Sequence, residues 1–329
     1  MVHIQKQMTN PSIKQPGATF KRTLFWSIKF FVSAALVVYL VSKIGAGNAL
    51  EKALAIPAYH LAGAFFLLLM QAILGGIRWR FVVIALGAKL TASKAVLITF
   101  ISLFFNQFLP SSVGADIVRV WQSNKAGLAL PTGITSVFLE RFGNLICVVA
   151  MTIGTIPIWT THFYGESASS VFLGTGAAVV SLLIAVMNLD RLPSVWRRWG
   201  VFRWLATLAL DSRALFLHPF YASMLLATAV AGQLALVGAA YVLAQGLGLN
   251  LRPIDFLATI PAVALLSSLP ISIAGWGVRE LAMVSVLGML AVPAESALAL
   301  SLVLALAGIA VSLPGGLVWL TLRHEVRSI

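Results

Sequence analysis

Charged residues are scarce in this sequence, and acidic residues are the scarcest. Asp and Glu together number 10 among 329 residues, and charged residues make up 10% of the chain, whereas a soluble domain carries about 25%. The single cysteine, Cys147, excludes a disulfide framework and a cysteine metal cluster. The five histidines are scattered, without the spacing of a metal site or a catalytic triad. We therefore expect no cofactor, no metal and no enzymatic activity.

The chain is rich in hydrophobic residues, which form long apolar runs. Hydrophobic residues make up 60% of it, and the mean hydropathy is +0.96. Several apolar runs reach the roughly 20 residues that a helix needs to cross a bilayer. The sequence therefore predicts an all-α polytopic membrane protein with about six full transmembrane helices, at 24–44, 60–84, 132–159, 170–187, 220–247 and 295–322.

These helices form one predicted membrane domain over residues 23–322, between a basic tail of residues 1–22 and a short tail of residues 323–329. The first apolar run is longer than the 7–15 residues of a signal-peptide core, so we interpret it as an uncleaved anchor. Cleavage near Ala49 is the alternative. A short loop containing Glu51, Lys52 and Pro57 is expected to follow the first apolar run.

Two further apolar stretches are too short for an easy crossing. The first, residues 95–109, ends at Pro110 and is followed by a polar segment that contains Asp116 and Arg119. The second, residues 256–269, ends at Pro270. Polar segments do not face lipid, so we predict two re-entrant helical hairpins. For the second hairpin, two complete crossings remain an alternative.

The two hairpins have similar sequences. Leu109-Pro110-x-Ser112 is followed 160 positions later by Leu269-Pro270-x-Ser272, and an Arg lies nine positions beyond each proline. The repeat units extend over about 86–120 and 247–280. Together with the charge count below, this repeat predicts hairpins that enter from opposite sides of the membrane, as in inverted-repeat transporters.

The positive charges indicate the orientation. The net charge is +13, which could suggest nucleic-acid binding. Most Lys and Arg residues of the chain lie beside apolar runs, however, and this placement is typical of membrane topology. Both termini are predicted to be cytoplasmic, and only Lys52 and Arg252 lie in predicted outer loops. The predicted cytoplasmic cations are Lys6, Lys14, Lys21, Arg22, Arg78, Arg80, Lys89, Lys94, Arg119, Lys125, Arg191, Arg197, Arg198, Arg203, Arg213, Arg323 and Arg327.

Two basic segments have predicted roles of their own. Arg78-Trp79-Arg80 is expected to anchor the end of its helix at the interface, because an aromatic ring between two cations suits that position. Residues 190–216 mix Trp, Leu, Phe and Arg, which predicts an amphipathic helix lying in the cytoplasmic interface. A solvated loop is the alternative for the second segment.

The hairpin tips are the candidate binding site. Irregular backbone at membrane depth lines a watery cavity or is buried in protein, and helices that begin there attract anions. Nine helical residues span about 13 Å, so Arg119 and Arg279 are expected near opposite faces, where a guanidinium can grip a lipid phosphate. The alternative is structural, with each arginine paired to an acid, for which Asp116 and Glu280 are the candidates.

Glu140 and Arg141 are adjacent charges within a predicted span. Adjacent helix positions point about 100° apart, so Glu140 is expected to pair with a different element and not with Arg141. A structural ion pair and proton coupling through Glu140 or Asp116 both remain open. Glycines such as Gly75 and Gly76 are expected to permit close helix packing.

These motifs, taken together, resemble the transmembrane region of lysylphosphatidylglycerol synthases, a flippase-like domain that also occurs alone. The resemblance covers about residues 24–322. It implies a stand-alone integral protein of the bacterial inner membrane that moves a phospholipid, glycolipid or hopanoid-type lipid between leaflets. The candidate lipid-binding residues are Asn106, Pro110, Ser112, Gly114, Asp116, Arg119, Glu140, Arg141, Pro270, Ser272, Gly275, Gly277, Arg279 and Glu280. The resemblance is carried by these residues together with Leu109, but not by Ser112, which comes from the hairpin tip.

Other functions remain alternatives. Synthases of the resembled family carry a soluble aminoacyl-transferase domain after the membrane region, whereas this chain stops at Ile329, so lipid aminoacylation is not expected. A membrane-embedded transferase would depend on Asp116 with Glu140. A non-catalytic partner in lipid biosynthesis would dock through residues 190–213. Expected partners are membrane lipids with an anionic headgroup, with a second copy of the chain or lipid-biosynthesis enzymes as further candidates.

Overall fold

The computed structural model describes residues 46–109, 112–157, 166–191, 200–267 and 276–325. Every regular element in these ranges is helical, which confirms the all-α class. A single 3₁₀ turn covers Leu189–Arg191. The α-helices are α1 (Ala46–Leu54), α2 (Ala58–Ala85), α3 (Ala92–Phe108), α4 (Ser112–Lys125), α5 (Leu130–Gly154), α6 (Glu166–Met187), α7 (Gly200–Phe216), α8 (Pro219–Gly246), α9 (Pro253–Ser267), α10 (Val278–Gly288) and α11 (Ala294–Glu325).

Four of the described helices, α2, α5, α8 and α11, are long and apolar enough to cross a membrane. Their bounds lie close to four of the predicted spans, because a long apolar run limited by Pro, Gly or charge is a strong signal. Helix α6 occupies the predicted span at 170–187. The predicted first helix at 24–44 and the basic tail of residues 1–22 lie outside the described residues.

Helices α2 and α8 form the antiparallel centre of the fold. At one end, Gly246 lies so close to α2 that a Cβ there would meet His60 Cβ at 3.1 Å. At the other end, the rings of Phe81 and Phe220 pack edge to face with their centroids 6.3 Å apart. The end of α2 therefore lies beside the start of α8, and the start of α2 beside the end of α8.

Helices α3 and α4 return the chain to the end of α2. Leu90, just before α3, and Leu128, just after α4, share one buried apolar cluster with Trp79 and Val83 of α2. The Ser102 hydroxyl of α3 donates to the carbonyl of Ala115 in α4 at 3.1 Å and so joins the two arms. The start of α3 and the end of α4 thus lie together, although the turn at 110–111 is outside the described residues.

Helices α9 and α10 occupy the opposite end. Leu247, at the end of α8 and shortly before α9, packs in one apolar cluster with Val284 of α10 and with Leu298 near the start of α11. Lys52 of α1 pairs with Glu295 at the same end, at 3.0 Å. The α3–α4 pair and the α9–α10 pair are therefore open towards opposite ends of α2.

Three local expectations are corrected. Residues 46–54, expected as loop, form helix α1, whose buried Ala49 packs against α11. Trp79, expected as an interfacial anchor, is fully buried. Arg279, expected about 13 Å along a helix, lies in the first turn of α10 because a turn at 276–277 delays the helix start.

The basic segment forms a helix where the structure describes it, and the solvated-loop alternative is wrong for residues 200–216. Helix α7 buries Leu208 and Leu215 in an apolar cluster with α2, α5, α6 and α8 and leaves Leu210 exposed. Arg213 binds the Asp190 carboxylate and donates from Nε to the Met187 carbonyl at 2.7 Å. These contacts attach the end of α7 to the end of α6. Residues 192–199 lie outside the described residues.

Candidate functional site

A buried carboxylate holds three helices together. Glu140 of α5 is 4% exposed, and its Oε1 accepts from Arg78 Nε of α2 at 2.7 Å. Its Oε2 accepts from Arg119 Nη1 of α4 at 3.1 Å. Glu140 lies ten residues into α5, or about 15 Å from the helix start. This is the network expected of charges within a membrane helix, because each charge there requires a partner.

Trp79 fixes the arginine side of this network. The Arg119 guanidinium lies 5.5 Å from the Trp79 ring centroid, a cation–π geometry. The indole Nε1 donates to the Ser136 hydroxyl of α5 at 3.0 Å, so the ring is held on both sides. The Arg119 Nε is buried and finds no hydrogen-bond partner among the described residues. The network thus links α2, α4 and α5 without using this buried donor.

A separate ion pair joins α4 and α5 next to the buried network. Arg141 Nε of α5 contacts Asp116 Oδ2 of α4 at 2.6 Å. The Arg141 side chain is 49% exposed and that of Asp116 is 19% exposed, in contrast to the buried network. Asp116 Oδ1 is buried and has no hydrogen-bond partner within the part of the chain that the structure describes.

This exposed pair lines a groove between α4 and α5 with a volume of about 750 Å³. Its other walls are almost entirely apolar, and several of them are large side chains that remain exposed, such as Ile117, Trp121 and Ile134. The groove thus combines one charged pair with a long apolar wall. Its lining residues are Asp116, Ile117, Val120, Trp121, Asn124, Leu130, Ile134, Val137, Phe138, Arg141, Phe142 and Leu145.

The second repeat contains a smaller network at the start of α10. Glu280 is 2% exposed, and its Oε2 accepts from the Gly277 backbone N–H at 2.6 Å. Its Oε1 accepts from Arg279 Nη2 at 2.6 Å and, more weakly, from the Ser301 hydroxyl at 3.4 Å. Arg279 also lies 5.1 Å from the Trp276 ring centroid. Gly277 has φ +84°, a conformation that side-chain-bearing residues rarely adopt.

The fourteen predicted site residues divide into four groups. Arg119, Glu140, Asp116 and Arg141 come together between α4 and α5, although Arg119 pairs with Glu140 and not with the predicted Asp116. Gly277, Arg279 and Glu280 form the second network, with the predicted pairing. Pro110, Pro270, Ser272 and Gly275 lie outside the described residues.

Three predicted residues lie along the first hairpin. Asn106 lies near the end of α3, and Ser112 is the first residue of α4. Gly114 lets α4 approach the end of α3, because a Cβ at this position would lie 2.9 Å from the Leu109 side chain. Gly114 therefore permits the close approach of the two arms of the hairpin.

Arg78, Trp79 and Ser136 were missed by sequence reasoning. Arg78 lies seven residues before the end of α2, too deep for a simple interfacial anchor, and that depth was the available signal. Its partner is 62 positions away, and no local pattern indicates it. Among the described residues, no group of three or more His, Cys, Asp or Glu is placed to hold a metal ion.

Comparison with known proteins gives the family. The family model described as the lysylphosphatidylglycerol synthase TM region matches residues 26–317, which include every described site residue. A comparison with curated proteins gives no match. The match covers most of the chain, and the chain belongs to the family of lysylphosphatidylglycerol synthase transmembrane regions.

Proposed function

We propose that this protein moves a polar or anionic lipid between the leaflets of the membrane that it spans, the bacterial inner membrane, with both termini in the cytoplasm. The observation that carries the proposal is the groove between α4 and α5. Its apolar walls suit acyl chains, and the Asp116–Arg141 pair suits a headgroup. Family membership supports a lipid-related role.

The chemistry of the ion pair suits a phosphate-bearing headgroup. A guanidinium presents its N–H donors in a planar fork that matches phosphate oxygens, and the Arg141 side chain is half exposed. Asp116, whose side chain is 19% exposed, places a carboxylate beside Arg141 that can attract a headgroup ammonium. Exposed Ile117, Trp121 and Ile134 continue from this pair as an apolar surface for the lipid chain.

The arrangement of the hairpins supports transport over static binding. The α3–α4 and α9–α10 pairs open towards opposite ends of the α2–α8 pair, and each contains an arginine that binds a buried glutamate, Arg119 with Glu140 and Arg279 with Glu280. Inverted repeats of this kind let one half of a transporter rock against the other around a fixed site. We infer that the second hairpin is re-entrant, like the first, and that the two charge networks stabilise these halves.

Reconstitution tests the proposal. Purified protein is incorporated into liposomes that contain lipids fluorescently labelled on an anionic, a zwitterionic or a sugar headgroup, and accessibility of the label to an impermeant quencher reports movement. We expect faster movement of at least one lipid than in protein-free vesicles, and slower movement with Arg141→Gln. Equal rates with and without protein for every lipid would contradict the proposal.

A further inference from the structure

A second recess lies at the open end of the α3–α4 hairpin and shares no lining residue with the groove. It has a volume of about 400 Å³, within the range of small-ligand sites. Three of its residues are cations, and no carboxylate lines it. The lining residues are Arg80, Ile84, Ala88, Lys89, Leu90, Thr91, Lys94 and Ala126.

The three cations lack counter-ions within the part of the chain that the structure describes. None of the ion pairs found there includes Arg80, Lys89 or Lys94. Arg80 is fixed in place, because its Nε donates to the Leu90 carbonyl at 3.1 Å. Three like charges around one recess repel one another, so an anion bound among them removes that repulsion.

The position of the recess favours a lipid over a soluble anion. Arg80 lies five residues before the end of the candidate span α2, or about 7.5 Å from that end, which is the depth of lipid headgroups. Ile84, Leu90 and Ala126 supply apolar walls beside the cations. A free phosphate would use only the cations, whereas a phospholipid would also cover these apolar side chains.

We propose that this recess binds the headgroup of one anionic phospholipid, with its phosphate held by Arg80, Lys89 and Lys94. The lipid is resident and is not the transported one, because the recess is lined by none of the residues of the groove. Its headgroup bridges the end of α2, the start of α3 and the end of α4. It thereby holds the open end of the first hairpin together.

Binding of short-chain lipids to the purified protein in neutral detergent tests this proposal without any transport measurement. We expect an anionic phospholipid to bind at least tenfold more tightly than a zwitterionic one of equal chain length. A basic residue near a membrane surface contributes a factor of about five to such binding, so Lys89→Gln with Lys94→Gln should weaken binding of the anionic lipid about 25-fold. Arg191→Gln, at an exposed cation outside the recess, is the matched control and should leave binding unchanged.

Two further measurements keep the test decisive. Ala88→Glu places a carboxylate in the recess and should abolish the preference for anionic lipid even if the lysine variants fold poorly. Glycerol phosphate, which carries the charge without the chains, should bind much more weakly than the lipid. Unchanged affinity in the double variant, no preference for anionic over zwitterionic lipid, or glycerol phosphate binding as tightly as the lipid would each overturn the proposal.

Discussion

Replacing Glu140 by glutamine tests the buried network most sharply. The substitution keeps the side-chain shape but leaves two arginines, Arg78 and Arg119, without a counter-charge, and their side chains are only 13% and 10% exposed. Removing one partner of a buried ion pair costs about 3–5 kcal/mol, because the remaining charge stays buried. We expect Glu140→Gln to lower the free energy of unfolding by this amount, or roughly 10²- to 10⁴-fold in the equilibrium constant.

The assay is unfolding of the purified protein in mixed micelles, titrated with SDS and followed by tryptophan fluorescence. Glu295→Gln is the matched control, since Glu295 and Lys52 form a pair at 3.0 Å whose side chains are 37% and 38% exposed. An exposed pair contributes at most about 1 kcal/mol. If Glu140→Gln and Glu295→Gln lower the unfolding free energy equally, the reasoning about the buried network is wrong.

A triple variant separates the structural role of the network from a role in transport. Arg78→Met, Arg119→Met and Glu140→Met together remove every charge of the network and fill its space with apolar side chains. Such replacements are often neutral or stabilising. We expect the triple variant to recover the stability that Glu140→Gln loses. Transport at the wild-type rate in this variant would mean that the network only holds α2, α4 and α5 together.

Two glycine substitutions test packing and backbone strain in the same assay. Gly76→Ala should destabilise by about 1–3 kcal/mol, because its Cβ would lie 2.7 Å from Val96 Cα of α3, whereas Gly75→Ala, with nothing within 4 Å, should be neutral or slightly stabilising. Equal changes would refute the packing argument. Gly277→Ala should cost about 1–3 kcal/mol, since φ is +84° there, and should disturb the N–H that binds Glu280. If Gly277→Ala leaves the unfolding free energy unchanged, the inference that this position requires glycine is wrong.

The long helices were predictable from the sequence, because their apolar runs are continuous. The prediction of 60–84 for α2 misses its bounds, Ala58–Ala85, by one or two residues. The rotation of about 100° per residue also indicated that Glu140 pairs away from its neighbour Arg141. Such inferences depend only on the local chain, and the structure agrees with them.

Features that depend on long-range packing were not predictable. The partner of Glu140 on α2 is 62 positions away, and Trp79 beside it is as compatible with an interfacial anchor as with a buried ring. The groove between α4 and α5 exists only because of how these helices pack, so no single segment indicates it. Helix α1 was missed because nine residues with two charges resemble a loop when the helix α11 that covers them is unknown.

Blocking the groove without changing its charge tests the central claim most directly. Ile134 lines the groove and is 42% exposed, so Ile134→Trp fills space there and leaves the Asp116–Arg141 pair intact. Leu210→Trp, at a 56% exposed position of α7 outside the groove, is the control. In reconstituted liposomes we predict that lipid movement falls with Ile134→Trp and stays at the wild-type rate with Leu210→Trp. Equal rates for both variants and the wild type would contradict the account.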